Sequence, residues 1–141
     1  MTRFDHVGVF VDNLQEAKRF LDDVLGIELN REFEVKDLGV TVAFFRAGDT
    51  DIELIELDDA TARRRKLGAG VSAKLDHIAF EVSDLKDVVN RFAQEGILLR
   101  GRPGRYAADP EPVYVDGRLS LWADAEKSGG IGYQFLQPPQ S

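Results

Sequence analysis

Apolar and polar residues alternate from Phe4 to Val11, and the run is rich in β-formers, which predicts a strand. At Asp12-Asn13 the period changes. Behind that capping pair, Leu14, Ala17, Phe20, Leu21, Val24 and Leu25 recur at helical spacing, and Gly26 supplies the stop. Strand-like runs return at Ile27 to Val35, Val40 to Ala47 and Asp51 to Leu57, with turns over Asp37 to Gly39 and Gly48 to Thr50. The pattern then starts again, with a strand from Leu75, a helix over Leu85 to Glu95, and strands near Ile97, Leu119 and Ile131.

The restart is an internal repeat. Phe4 to Val11 matches Leu75 to Val82, and Leu14 matches Leu85. Gly26-Ile27 matches Gly96-Ile97 one residue out of step, and Ile52 to Ile55 matches Tyr133 to Leu136. The expected organisation is one domain over residues 1–141: module one at 1–58, a linker at 59–74, and module two at 75–141. Each module reads βαβββ. The fold class this implies is α+β, two tandem βαβββ modules forming a curved, cup-shaped mixed sheet with helices on the outer face. Gly101 to Asp116 is a Pro/Gly-rich loop longer than any in module one, either a site loop or a disordered insertion.

Alternation assigns the faces. Val7, Val9, Val11, Ile52 and Leu54 take the helix side of module one, and Ile78, Phe80, Val82, Tyr133 and Phe135 take it in module two. His6, Glu53, His77 and Gln134 then share the opposite, inner face. Composition gives that coincidence its weight. The chain has only two histidines, one at the same place in each repeat, so any imidazole chemistry must use His6 or His77. It has no cysteine, which excludes disulfides, thiolate metal sites and a cysteine nucleophile. A formal charge of −7 argues against a broad nucleic-acid surface. No apolar run approaches a membrane span, and Val7 to Val11 is too short for a signal-peptide core, so a cytoplasmic location is expected. A carboxylate among apolar strand residues is costly unless paired or bound to a cation. Two imidazoles, one carboxylate and one amide carbonyl make a shell for a divalent metal with a position left for water or substrate. The plainer alternative is two satisfied core histidines and the polar half of an alternating strand.

The doubled unit, with Asp5-His6 and Asp76-His77 opening each module and Glu53 and Gln134 near the ends, resembles the vicinal oxygen chelate superfamily. That group includes glyoxalase I, methylmalonyl-CoA epimerase, extradiol dioxygenases and drug-sequestering resistance proteins. The stretches at Phe4 to Val9, Gly39 to Phe45, Gly48 to Glu56, Leu75 to Val82 and Ser128 to Leu136 are most similar to its methylmalonyl-CoA epimerase branch. The resemblance implies that His6, Glu53 and His77 are ligands of one divalent metal ion (Co, Mn, Ni, Zn, Mg or Fe), with Gln134 where the family has a glutamate. It implies a homodimeric isomerase or epimerase acting next to a carbonyl or CoA thioester through a metal-stabilised enolate. The substrate would be a small molecule such as an acyl-CoA, with no nucleic-acid or membrane partner. A glyoxalase-type enzyme, a non-haem Fe(II) dioxygenase and a non-catalytic sequestering protein are the alternatives the same superfamily offers.

Two departures bear on the chemistry. An amide can ligate through its oxygen but cannot accept a proton near neutral pH, so Gln134 removes the family's expected base. Asp124-Ala125 stands where the family usually carries His-Pro. Glu53 itself, Glu81 (on the inner face with His77) and Asp124 are the carboxylates that could serve instead, with Tyr106 or Tyr114 as an acid. Each could equally be a solvated rim residue. Ala60 to Lys74 holds five basic and no acidic residues, and Arg100, Arg102 and Arg105 flank the long loop. A phosphate-bearing substrate would use them; the plainer reading is a solvated helix balancing an acidic body.

Overall fold

The computed structural model describes residues 3–140. Those residues form one mixed sheet of ten strands with three α-helices, where the doubled βαβββ unit implied eight strands and two helices. The chain divides into two compact units, residues 6–76 and residues 3–5 with 77–140.

The first unit contains β1 (Arg3–Val11, whose first three residues belong to the second unit), α1 (Leu14–Arg19), β2 (Leu29–Val35), β3 (Val40–Ala47), β4 (Thr50–Leu57) and α2 (Ala60–Leu67). Its strand order is β2-β3-β4-β1, antiparallel except for the parallel β4/β1 pair. Asn13 caps α1 by accepting from the Glu16 N–H at 3.0 Å, and the Glu56 carboxylate accepts from the Leu14 N–H at 2.7 Å. Val9, Val11, Leu14, Phe45 and Leu54 pack together on the helix side. Phe10, Val42, Phe44 and Ile55 pack on the other, as strand alternation requires. The helical stripe departs from its expected period. After Arg19 the chain passes into a π turn over Phe20–Val24, closed by the Leu25 N–H on the Phe20 carbonyl at 3.1 Å. The wider turn rotates the stripe, so Leu21 stays on the core while Phe20, Val24 and Leu25 are about half exposed. Gly26, at φ +69°, ends the segment.

The second unit contains β5 (Ala73–Glu81, which it enters at His77), α3 (Leu85–Gln94), β6 (Leu99–Arg100), β7 (Tyr106–Ala107), β8 (Val113–Val115), β9 (Arg118–Ala123) and β10 (Gly132–Gln137). The order is β5-β10-β9-β6-β7, with β8 on β9 and β10 parallel to β5. Here the Gln137 amide takes the place of Glu56 and accepts from the Leu85 N–H at 2.8 Å. Val82, Leu85, Val88, Leu99, Leu121 and Phe135 form the core under α3. The long loop has secondary structure of its own. It carries β7 and β8, so five strands follow α3 where three were expected.

Candidate metal centre

In the first unit the parallel register sets Glu53 beside Gly8 and Asp51 beside His6. Gly8 has no side chain, so the Glu53 carboxylate reaches across it to the imidazole. Its Oε1 lies 3.2 Å from His6 Nε2. Both groups are buried, 2% and 7% exposed as residues. The His6 ring meets Phe44 edge-on at 5.4 Å, and Phe44 in turn carries the Arg31 guanidinium at 4.0 Å. Packing therefore fixes the ring plane. Buried Asp51 is held by Arg46 at 2.7 Å and Arg31 at 3.4 Å. Two acids on one strand thus have different surroundings: guanidinium groups for Asp51, an imidazole for Glu53.

The second unit repeats this register with different residues. His77 stands beside Gly132, and Gln134 beside Ala79, which is fully buried and small. The Gln134 amide nitrogen donates to the buried Ser120 hydroxyl on β9 at 3.4 Å, which leaves the carbonyl Oε1 as its acceptor. By donor type the four buried side chains, two imidazoles, a carboxylate and an amide carbonyl, fit a divalent cation of the nitrogen- and oxygen-binding kind.

A buried ion network that sequence reasoning missed lies beside these residues. Arg118, at the start of β9, grips Asp5 with a two-pronged contact at 2.9 and 3.0 Å and donates to Glu81 at 3.1 Å. Arg3 adds contacts to Asp5 at 2.7 Å and Glu81 at 3.4 Å. Burial by itself lowers the proton affinity of Arg118. The hydrogen bonds and charges of Asp5 and Glu81 more than reverse that, so its pKa lies above the ordinary guanidinium value. Asp5 immediately precedes His6, and Arg118 lies two residues before Ser120. The network anchors the chain next to both.

Residues 5–115 match the model of the Glyoxalase/Bleomycin resistance protein/Dioxygenase superfamily. The chain belongs to that superfamily. A Bacillus subtilis (strain 168) relative, the uncharacterized protein YqjC, is 30% identical over 98% of this chain and 94% of its own. An ethylmalonyl-CoA/methylmalonyl-CoA epimerase of Cereibacter sphaeroides is 30% identical over 79% of this chain and 84% of its own. Methylmalonyl-CoA epimerase of Streptomyces coelicolor, solved in complex with 2-nitronate-propionyl-CoA, has the same fold: TM-score 0.81 over 99% of both chains, at 18% identity.

Other residues singled out in the sequence have definite places. Glu81 shares a face with His77, and its carboxylate is held by Arg118 and Arg3. Asp124 is clamped by Arg100 through Nε at 3.0 Å and a terminal nitrogen at 2.9 Å, and the Tyr106 hydroxyl donates to it as well. Tyr114 is 64% exposed. The basic α2 run is engaged within its own unit: Arg63 with Glu56 at 3.4 Å, Arg64 with Asp12 at 2.7 Å, Lys66 with Asp76 at 3.4 Å. These contacts are of the balancing kind. No helix among the described residues is long and apolar enough to cross a membrane.

Proposed function

We propose that this superfamily member is a metal-dependent epimerase or isomerase acting next to a carbonyl or CoA thioester, with His6, Glu53, His77 and Gln134 as the ligands of one divalent cation. Two facts support the reading. The chain is related to methylmalonyl-CoA epimerases over most of its length. His6, Glu53 and His77 form a buried group of metal-ligating side chains, each able to offer one ligand atom. The observation that carries it is the buried His6–Glu53 contact at a position whose repeat equivalent holds His77 and Gln134.

A divalent cation there supplies Lewis-acid polarisation of a substrate carbonyl oxygen, which acidifies the adjacent C–H. Proton handling falls to the protein. Glu53 is the carboxylate of the set and takes the proton at an oxygen; Gln134 binds through Oε1 and accepts none near neutral pH. Glu81 is the further acid on the same face as His77 and the candidate to serve the second face of the carbon, with Arg118 and Arg3 orienting it. The donor set, with a single carboxylate, leaves a divalent ion one unit of positive charge, which favours an anionic substrate.

The test is deuterium incorporation from solvent into methylmalonyl-CoA, followed by NMR, on protein loaded in turn with Co, Mn, Ni, Zn, Mg or Fe(II). Exchange at the carbon next to the thioester is expected with at least one ion, and Gln134→Glu should raise it. No exchange with any ion overturns the reading. Oxygen-dependent turnover confined to Fe(II) would favour an oxygenase instead.

A further inference from the structure

Ser120 is fully buried in the middle of β9. The antiparallel registers set it opposite Leu136 of β10 and Val113 of β8, both of them buried and apolar. A hydroxyl in such a place is costly unless it is hydrogen-bonded, and alanine would pack there without that cost. Its one hydrogen bond among the described residues is the contact from the Gln134 amide nitrogen at 3.4 Å. Gln134 itself stands opposite Trp122, the next residue of β9 on the same face, so the contact runs diagonally between neighbouring strands.

The two ends of an amide differ in what they offer a cation. The oxygen is an acceptor and can ligate; the NH2 group carries only donors and repels a positive ion. With Nε2 on Ser120, Oε1 has no hydrogen-bond partner among the described residues, although Gln134 is only 4% exposed. A buried acceptor without a protein donor calls for another partner, and a cation meets that need. The same hydrogen bond polarises the amide, which makes its carbonyl oxygen a stronger ligand. A carboxylate in this place would present an oxygen whichever way it turned. An amide has to be held.

We propose that Ser120 is a positioning residue: by accepting the Gln134 N–H it keeps the carbonyl oxygen turned towards the metal ion. The inference rests on the reading above that Gln134 is a ligand, and it adds the residue that makes an amide serviceable there. Ser120 touches neither the ion nor the substrate.

Titration with Co(II) tests it. Binding is followed by quenching of the fluorescence of Trp122, the single tryptophan of the chain and the residue opposite Gln134, with the visible d–d absorption as a second signal. The natural protein should bind one Co(II) per chain, and Ser120→Ala should weaken that binding about 10- to 100-fold. In the Gln134→Glu background the same serine change should leave the affinity no lower, because a carboxylate has no N–H to satisfy. Undiminished affinity in Ser120→Ala overturns the proposal. So does an equal loss in both backgrounds, which is what a merely structural serine would give. Co(II) binding that depends on Ser120, on a protein that exchanges no thioester proton, supports the positioning role and overturns the epimerase reading. A natural protein that binds no Co(II) overturns both.

Discussion

Replacing Arg118 by Met removes the centre of the buried ion network beside His6. In the natural protein its side chain is 15% exposed and holds Asp5 at 2.9 and 3.0 Å and Glu81 at 3.1 Å. The variant takes the two-pronged contact from the Asp5 carboxylate, 6% exposed, and the Arg3 contact that stays, at 2.7 Å, comes from a side chain half in solvent. Breaking a buried pair from one side costs about 3–5 kcal/mol. Arg3 keeps part of the interaction and Glu81 can turn to water, which puts the expected loss at the lower end, about 3 kcal/mol. With an unfolding entropy of about 2.1 cal/mol/K per residue, that lowers Tm by roughly 10 °C. Urea unfolding followed by far-UV circular dichroism, with the fluorescence of Trp122 as a second probe, measures it. Asp5→Asn/Arg118→Met leaves no buried charge at that point and should return to within about 1 kcal/mol of the natural protein. A cation whose folded pKa is raised contributes stability that is full below its unfolded pKa and is lost only as pH rises through the folded value. For an arginine that loss falls in strongly alkaline solution, so the difference should be flat from neutral to mildly alkaline pH. A loss below 1 kcal/mol for Arg118→Met, or a double variant as unstable as the single one, would refute the reasoning.

Gly101→Ala forces a methyl group against the Glu111 carbonyl oxygen and should cost about 1–3 kcal/mol. Limited proteolysis should then cut within residues 102–115, and an uncut loop would show that the limbs are not in contact. Gln137→Ala deprives the Leu85 N–H of its acceptor and should destabilise by about 1 kcal/mol in urea titration, with α3 fraying first by hydrogen exchange; no change would mean that water replaces the amide without loss. His77→Ala should abolish stoichiometric divalent metal, measured by elemental analysis after loading, while thermal unfolding stays cooperative. Metal retained at full stoichiometry in that variant would remove His77 from the ligand set.

Legibility tracked periodicity. The strand at Phe4 to Val11, the helix after Asp84 and the two apolar faces were readable because alternation and helical spacing report which side of an element is buried. The same alternation put His6 and Glu53 on one face, and the register confirms it, with Gly8 leaving room for their contact. The π turn was invisible because its residues are as apolar as those of an uninterrupted helix; only the hydrogen-bond spacing differs. The Asp5–Arg118–Glu81 network was invisible for another reason. It joins residues up to 113 apart in sequence, and a single Arg or Asp has no local signature of its partner. A buried acid directly before His6 was the one available hint.

From the sequence alone come the doubled βαβββ plan, the inner face and the four polar side chains placed on it, because a repeat marks equivalent positions and strand alternation marks sides. Tertiary structure alone decided which charges are already spoken for. Arg63, Arg64 and Lys66 turned out to balance acids of their own unit, and Arg100 to be held by Asp124. Charge pairing depends on distances of a few ångströms between side chains far apart in the chain, and only the folded backbone sets those distances.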